Sequence, residues 1–346
     1  MKIDDILIEK KECIRKALKQ LEEVRCKVIY VVEQGKLVGS ISDGDIRRYV
    51  LNNGNVDLEV SNIANKSPNF LNHYERDKIE EIFKNSELYS IPIVNYNQEI
   101  VEIIFRDGKR IKRDYKLEIP VVMMAGGKGT RLYPYTKILP KALVPIGDIP
   151  IAERILDGFK DFGCNQVYMI VNHKKEMIYS YFAGIKKKYE ITYIEEKIPL
   201  GTGGGLYLLR DNVKEPFFLI NCDIIVDANY SEIWNHHKKE GNFITIVVAQ
   251  YHQTIPYGVV KFDEGREYLG MIEKPQKDYY ISTGMYIVDK DLIYTMPEAQ
   301  TLSFPDLIEY YKNKGKKIGV YTISESAYMD MGQLEELERM KVKLNA

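Results

Sequence analysis

Residues 124–131 read MAGGKGTR, and they close the apolar run EIPVVMMA of residues 118–125. A short apolar run that ends in a small residue reads as a buried β-strand. Placed at the carboxyl end of such a strand, a glycine-rich turn stands where open α/β sheets bind their ligands. Glycine lets backbone N–H groups come close to an anion, and Lys128 and Arg131 bring positive charge to the same place. Ala125, Gly126, Gly127, Gly129 and Thr130 are therefore candidates for a phosphate-binding loop. Neither the Walker GxxxxGK[ST] pattern nor a GxGxxG fingerprint is present, so the loop belongs to neither class.

Downstream, prolines at 134, 140, 145 and 150 hold a long irregular segment, with Lys141 between Pro140 and Ala142. Then follow a helical IAERILDGFKDFG, a strand QVYMIV, a helical KKEMIYSYFAG and a strand ITYIEE. Alternation of this kind predicts an α/β fold with a mixed, mostly parallel sheet and helices on both faces. GGKGTRL followed by PYTKILPKALVPI resembles the fingerprint of the sugar-1-phosphate nucleotidyltransferases, the NDP-sugar pyrophosphorylases. The resemblance runs over about residues 118 to 345 and implies a Rossmann-like, GT-A-like domain over 118–346.

Later motifs agree in order. PLGTGGGL (199–206) looks like the family's nucleotide-binding element, which implies that Gly201 and Thr202 contact the nucleotide. FFLINCDIIVD carries Asp223, and YMDMG carries Asp330; the resemblance assigns both to a metal ion, expected to be Mg²⁺ because two carboxylates and phosphates offer it hard oxygens. It assigns Arg131 and Lys141 to the triphosphate and Lys274 to the sugar phosphate. Tyr257 and Gly258 (PYGVV), Glu273 (MIEKP), and Ser282 and Gly284 (STGMYIV) would line the sugar pocket. Cys222 reads as packing and not as a nucleophile.

The reaction implied joins a nucleoside triphosphate and a sugar-1-phosphate and releases pyrophosphate. Glu196 lies where relatives that use thymidine triphosphate carry glutamine. A carboxylate matches the paired N1–H and N2–H donors of guanine better than a pyrimidine edge, so GTP is favoured, with Glu195 as the alternative reader. Ser282 replaces an asparagine that relatives turn toward the sugar. A CBS pair ahead of such a transferase resembles the guanylyltransferases of legionaminic acid pathways, which favours glucosamine-1-phosphate. Mannose-1-phosphate with GTP, glucose-1-phosphate with UTP or dTTP, and an inactive nucleotide-sensing subunit are the alternatives.

Those CBS-like repeats occupy residues 1–115. ECIRKALKQLEE, KVIYVVE, LVGSIS and DGDIRRYVL form one helix-strand-strand-helix unit. RDKIEEIFKNSEL, SIPIVN, a turn near Asn95 to Gln98 and IVEIIFRDGKR echo it at an offset of about 62 residues, with Asp107 matching Asp45. Resemblance to tandem CBS domains implies an adenine nucleotide held by Ser42 and Asp45, or else a regulatory, dimerising role; a homo-oligomer, dimer or higher, is expected. Ile104 stands where the second repeat would need a hydroxyl. The charged stretch RDGKRIKRDYK (106–116) reads as a linker.

Over all 346 residues the net charge is −1, which argues against nucleic acid or an anionic membrane as partner. Four scattered cysteines and the absence of a secretory apolar core in MKIDDILIEKKE lead to a cytoplasmic expectation.

Overall fold

The computed structural model describes the whole chain except residues 73–77, 96–97, 114, 188, 297, 299 and 345–346, and leaves the side chain of Lys343 aside. It divides into two compact units, Met1–Asp114 and Tyr115–Leu344.

In the first unit β1 (Leu7–Glu9) leads into α1 (Ile14–Val24), then β2 (Val28–Glu33), β3 (Lys36–Ser42) and α2 (Asp43–Leu51). Ile14, Ala17 and Leu21 recur on one face of α1 and are buried. Gln34 and Gly35, both at positive φ, close the β2–β3 hairpin. The pattern returns as β4 (Leu71–Asn72), α3 (Ile79–Asn85), β5 (Ser90–Val94) and β6 (Ile100–Phe105). In both copies the first strand runs parallel to the second and the second pairs antiparallel with the third. The turn expected near residues 95–98 lies partly outside the described residues.

The repeats differ from expectation in two ways. A third antiparallel strand, β7 (Arg110–Lys112), follows β6 where the first copy has α2, so part of the expected linker belongs to a sheet. Backbone pairing does not need apolar side chains, and the one apolar residue there, Ile111, is buried. Arg106 is structural too: its guanidinium donates to the carbonyls of Phe83, Ser86 and Leu88 at the end of α3. Second, each hairpin carries an irregularity, between Val31 and Val32 in one and between Ile93 and Val94 in the other. Matching the hairpins there makes Phe105, not Ile104, the equivalent of Ser42, and Gly108, not Asp107, the equivalent of Asp45.

The second unit is built on a seven-stranded sheet. Its elements are β8 (Val121–Ala125), α4 (Tyr135–Ile138), the small ladder β9 (Pro145–Ile146) and β10 (Ile149–Pro150), α5 (Ile151–Asp161), β11 (Gln166–Val171), α6 (Lys175–Gly184) and β12 (Glu190–Glu195). They continue with α7 (Gly201–Gly204), β13 (Phe217–Asn221), β14 (Ile224–Val226), α8 (Tyr230–Glu240), β15 (Ile244–Thr254), β16 (Val259–Phe262), β17 (Tyr268–Ile272) and β18 (Gln276–Val288). The last are α9 (Asp291–Thr295), α10 (Phe304–Asn313), β19 (Ile318–Ile323), β20 (Tyr328–Asp330) and α11 (Leu334–Lys343).

The strand order is β12-β11-β8-β13-β18-β15-β19, and only β18 pairs antiparallel with its neighbours. The chain leaves β8 toward β11 and β12, then returns to lay β13 on the other side of β8. That makes the β8–β13 boundary a topological switch point, the place where such sheets open a crevice. Strand β8 is apolar on both faces because helices cover both. Phe159 of α5, Phe218 of β13 and Tyr230 of α8 form one aromatic cluster, with Phe159 centred 5.3 Å from Phe218 and 4.6 Å from Tyr230. Beyond the sheet β15 and β18 run on as a two-stranded arm, and β16 and β17 form a separate hairpin between them. No helix among the described residues is long and apolar enough to cross a membrane.

Candidate active site

At the switch point, the carboxyl ends of β8 and β13 and the loop after β12 enclose a cavity of about 270 Å³. Met124, Gly126, Gly127 and Arg131 line it from the first strand and its loop, and Asn221, Cys222 and Asp223 from the second. Lys141, Glu196, Pro199, Gly201 and Thr202 complete the wall. Eight expected site residues, drawn from segments far apart in the chain, thus share one hollow.

Glu196 is the most constrained of them. It is 8% exposed, and its Oε1 is buried with no hydrogen-bond partner. Burial raises its carboxyl above the usual range, opposed by a backbone hydrogen bond involving Leu200. A Cβ at Gly126 would sit 2.8 Å from Glu196 Oε2, and one at Gly205 would sit 2.5 Å from Oε1, so two glycines make room for this carboxylate. The amide of Asn172 holds the Glu196 carbonyl at 2.6 Å. Glu195, by contrast, points to Lys175 and Tyr179, at 2.6 and 2.8 Å, and does not line the cavity.

On the opposite wall Lys141 donates to Oδ2 of Asp223. Both side chains are largely buried, at 13% and 12% exposure. Ile224 of β14 pairs with Asp330 of β20, and the Met331 amide donates to the Asp223 carbonyl at 2.8 Å. The carboxyl of Asp330 is raised by burial first and by the charge of Asp223 second, while the Gly332 amide, Lys141 and Arg131 pull it down. Asp223 and Asp330, brought side by side by the β14–β20 ladder, form a donor set that fits Mg²⁺, which takes one or two carboxylates and fills its octahedron with water and substrate phosphates. No cluster of three or more His, Cys, Asp or Glu side chains suited to a metal occurs among the described residues. Asp330 itself lines a neighbouring hollow of about 430 Å³ with Tyr251, Tyr328 and Glu336.

The remaining expected residues lie elsewhere. Ala125 is buried at the strand end, and Gly129 and Thr130 form the turn behind Arg131, the Gly129 carbonyl accepting from Thr136 at 2.6 Å. Tyr257, Glu273 and Lys274 are exposed on the β16–β17 hairpin and its flanks. Gly258 faces Glu273 there, since a Cβ on it would lie 3.0 Å from Oε2. Ser282 bonds Tyr286 at 3.1 Å, and Gly284 backs onto Asn221. In the first unit Ser42 caps α2: its hydroxyl accepts from the Asp45 amide at 3.1 Å, and Oδ2 of Asp45 accepts from the Ser42 amide at 2.8 Å.

Met124, Pro199, Asn221 and Cys222 line the cavity although sequence reasoning did not place them there. Asn221 and Cys222 end the strand beside β8, so the strand-end rule that singled out Asp223 could have found them. Burial and the charge of Asp223 push the Cys222 thiol up to about 12, which leaves it a packing residue.

Geometry of this kind belongs to the mixed α/β proteins that hold phosphates at strand ends. Residues 120–346 match the family model described as nucleotidyl transferase, and residues 14–52 match the CBS domain. The chain belongs to the nucleotidyl transferase family and carries a CBS domain at its N-terminal side. It is 34% identical over 179 residues to the mannose-1-phosphate guanylyltransferase catalytic subunit beta of Dictyostelium discoideum, covering 50% of each chain. To the mannose-1-phosphate guanyltransferase of Saccharomyces cerevisiae it is 32% identical over 225 residues, covering 61% of each. The chain thus spans between half and about three-fifths of the length of these relatives. The crystal structure of HddC from Yersinia pseudotuberculosis shares the fold, with a TM-score of 0.52 at 23% identity over 65% of this chain and 99% of that one.

Proposed function

We propose that this protein transfers a nucleoside monophosphate from a nucleoside triphosphate to a sugar-1-phosphate, with GTP as the favoured triphosphate and glucosamine-1-phosphate as the favoured acceptor. The observation that carries the reading is the single cavity into which the glycine loop, Arg131, Lys141, Asp223 and Glu196, with its unpartnered Oε1, converge. A sugar-phosphate oxygen attacks the α-phosphorus, the bond to the β-phosphate oxygen breaks, and pyrophosphate leaves. The nucleophile is already ionised near neutral pH, so no general base is needed. The chain's task is to align anionic groups and offset their repulsion. Arg131 and Lys141 would supply positive charge to the phosphates, and Asp223 and Asp330 would hold Mg²⁺. That ion, when bound, would neutralise charge developing on the α-phosphate. Retention of all these charged groups speaks against an inactive sensor.

Its mannose-1-phosphate guanylyltransferase relatives support the guanine preference and favour a second reading, in which mannose-1-phosphate is the acceptor. A matrix of GTP, UTP, dTTP and ATP against glucosamine-, mannose- and glucose-1-phosphate, scored by pyrophosphate release, decides between them. Highest release with GTP and glucosamine-1-phosphate is expected; a pyrimidine triphosphate in first place overturns the guanine reading.

For the sugar side, Lys274→Ala is expected to raise the KM for sugar-1-phosphate by about tenfold or more, the scale of one lost charge-assisted hydrogen bond. The KM for the triphosphate should move far less. A defect confined to the triphosphate would reverse the assignment.

In the first unit we assign an adenine nucleotide to Ser42 and Asp45, at one site per chain. Calorimetry of the full chain with AMP is expected to show one site that is lost in Asp45→Asn, a change that keeps the helix cap. Absence of heat with AMP, ADP and ATP would leave the CBS unit a bracing role only.

A further inference from the structure

We propose that Lys141 is an internal stand-in cation for Asp223, holding that carboxylate until a triphosphate draws it away, so that divalent cation and triphosphate enter together. This rests on the reading of Asp223 as a metal-binding carboxylate. The ammonium group of Lys141 already occupies Oδ2 of Asp223, from a position 82 residues earlier in the chain. Both side chains are largely shielded from water, at 13% and 12% exposure, so solvent screens the pair only weakly.

Two acidic side chains meet here, because β20 lays Asp330 against Ile224, next to Asp223, and the Met331 amide donates to the Asp223 carbonyl. One lysine therefore offsets part of a repulsion that the fold builds in. A divalent cation on Asp223 would sit beside the ammonium of Lys141, and two cations on one carboxylate repel each other. A triphosphate removes the conflict by offering the ammonium several phosphate oxygens. Lys141 is also placed to respond to such a ligand. Its stem lies against the glycine loop, since a Cβ at Gly129 would come 3.2 Å from Lys141 Cβ.

The test is titration of the full chain with Mn²⁺ alone, without nucleotide, read by the electron paramagnetic resonance of free Mn²⁺. Wild type is expected to bind weakly and Lys141→Met at least about tenfold more tightly, with Lys141→Arg close to wild type because the charge is kept. Unchanged or weaker binding in Lys141→Met overturns the proposal. The double variant Lys141→Met/Asp223→Asn separates the two ideas. If it binds as tightly as Lys141→Met, then Asp223 is not a ligand and the underlying reading fails. Should Lys141→Met not fold, wild type answers alone. Acetylation of Lys141, followed by mass spectrometry, is expected to rise several-fold on adding Mn²⁺. No rise, or added protection, counts against the stand-in role.

Discussion

Asp223→Asn is expected to lower turnover at least about a hundredfold while the fold survives, a loss of about 2.7 kcal/mol of transition-state stabilisation. The amide keeps the size and one acceptor oxygen of the carboxylate but loses its charge. If Asp223 holds the metal, the variant removes one of its charged ligands at the step where phosphate charge must be offset. The side chain lies just past the end of β13 and contributes little to the sheet, so circular dichroism should stay near wild type, while the melting temperature falls because the largely buried Lys141 loses its partner. EDTA should abolish wild-type activity and Mg²⁺ should restore it. Near-normal turnover in the variant, or full activity in EDTA, would remove Asp223 from the metal site.

Glu196→Gln is expected to erode a preference for GTP of roughly a hundredfold or more over UTP and dTTP. Two N–H donors of guanine meeting one carboxylate make charge-assisted bonds, each worth about 1.5–3 kcal/mol, and about 1.4 kcal/mol is tenfold. A pyrimidine carbonyl facing the same group leaves it unpaired and repelled. The buried, partnerless Oε1 is a group that binding must satisfy, which is why the effect should be large. Because burial raises this carboxyl, its useful, ionised form is lost as pH falls through the raised pKa. GTP use should therefore weaken on acidification sooner than in a protein whose reader has an ordinary carboxylate, and Glu196→Gln should flatten that dependence. A GTP lead unchanged in the variant would move base reading to backbone groups near Gly201.

Much of the transferase unit follows from local pattern. Strand β8 is legible because an apolar run of that length has no other use in a sheet covered on both sides. Its glycine loop is legible because clustered glycines directly behind a strand mark a turn. Helix α5 and strand β11 match the sequence reading to within a residue or two, since each repeats a period that a short window contains. Local pattern erred where pairing took over. The charged residues 110–112 read as linker, yet their backbone completes a hairpin with β6. The second repeat matched the first at Asp107, but aligning the two hairpins at the irregularity each carries moves the equivalence by one residue.

The order of the motifs along the chain was enough to name the family and to nominate Asp223, Lys141 and Glu196 singly. What they are to one another came only with the tertiary structure. Lys141 reaches Asp223 across 82 residues of sequence because the β8–β13 switch point brings the two segments together. Glu196, and not Glu195, enters the cavity because β12 ends between them and alternate side chains leave opposite faces. Its lost hydration is a property of the walls, supplied by Gly126, Gly205 and their neighbours. Periodicity and turn chemistry are decided within a few residues and can be read from a line of letters. Desolvation and charge pairing depend on which distant segments meet, and only the folded chain decides that.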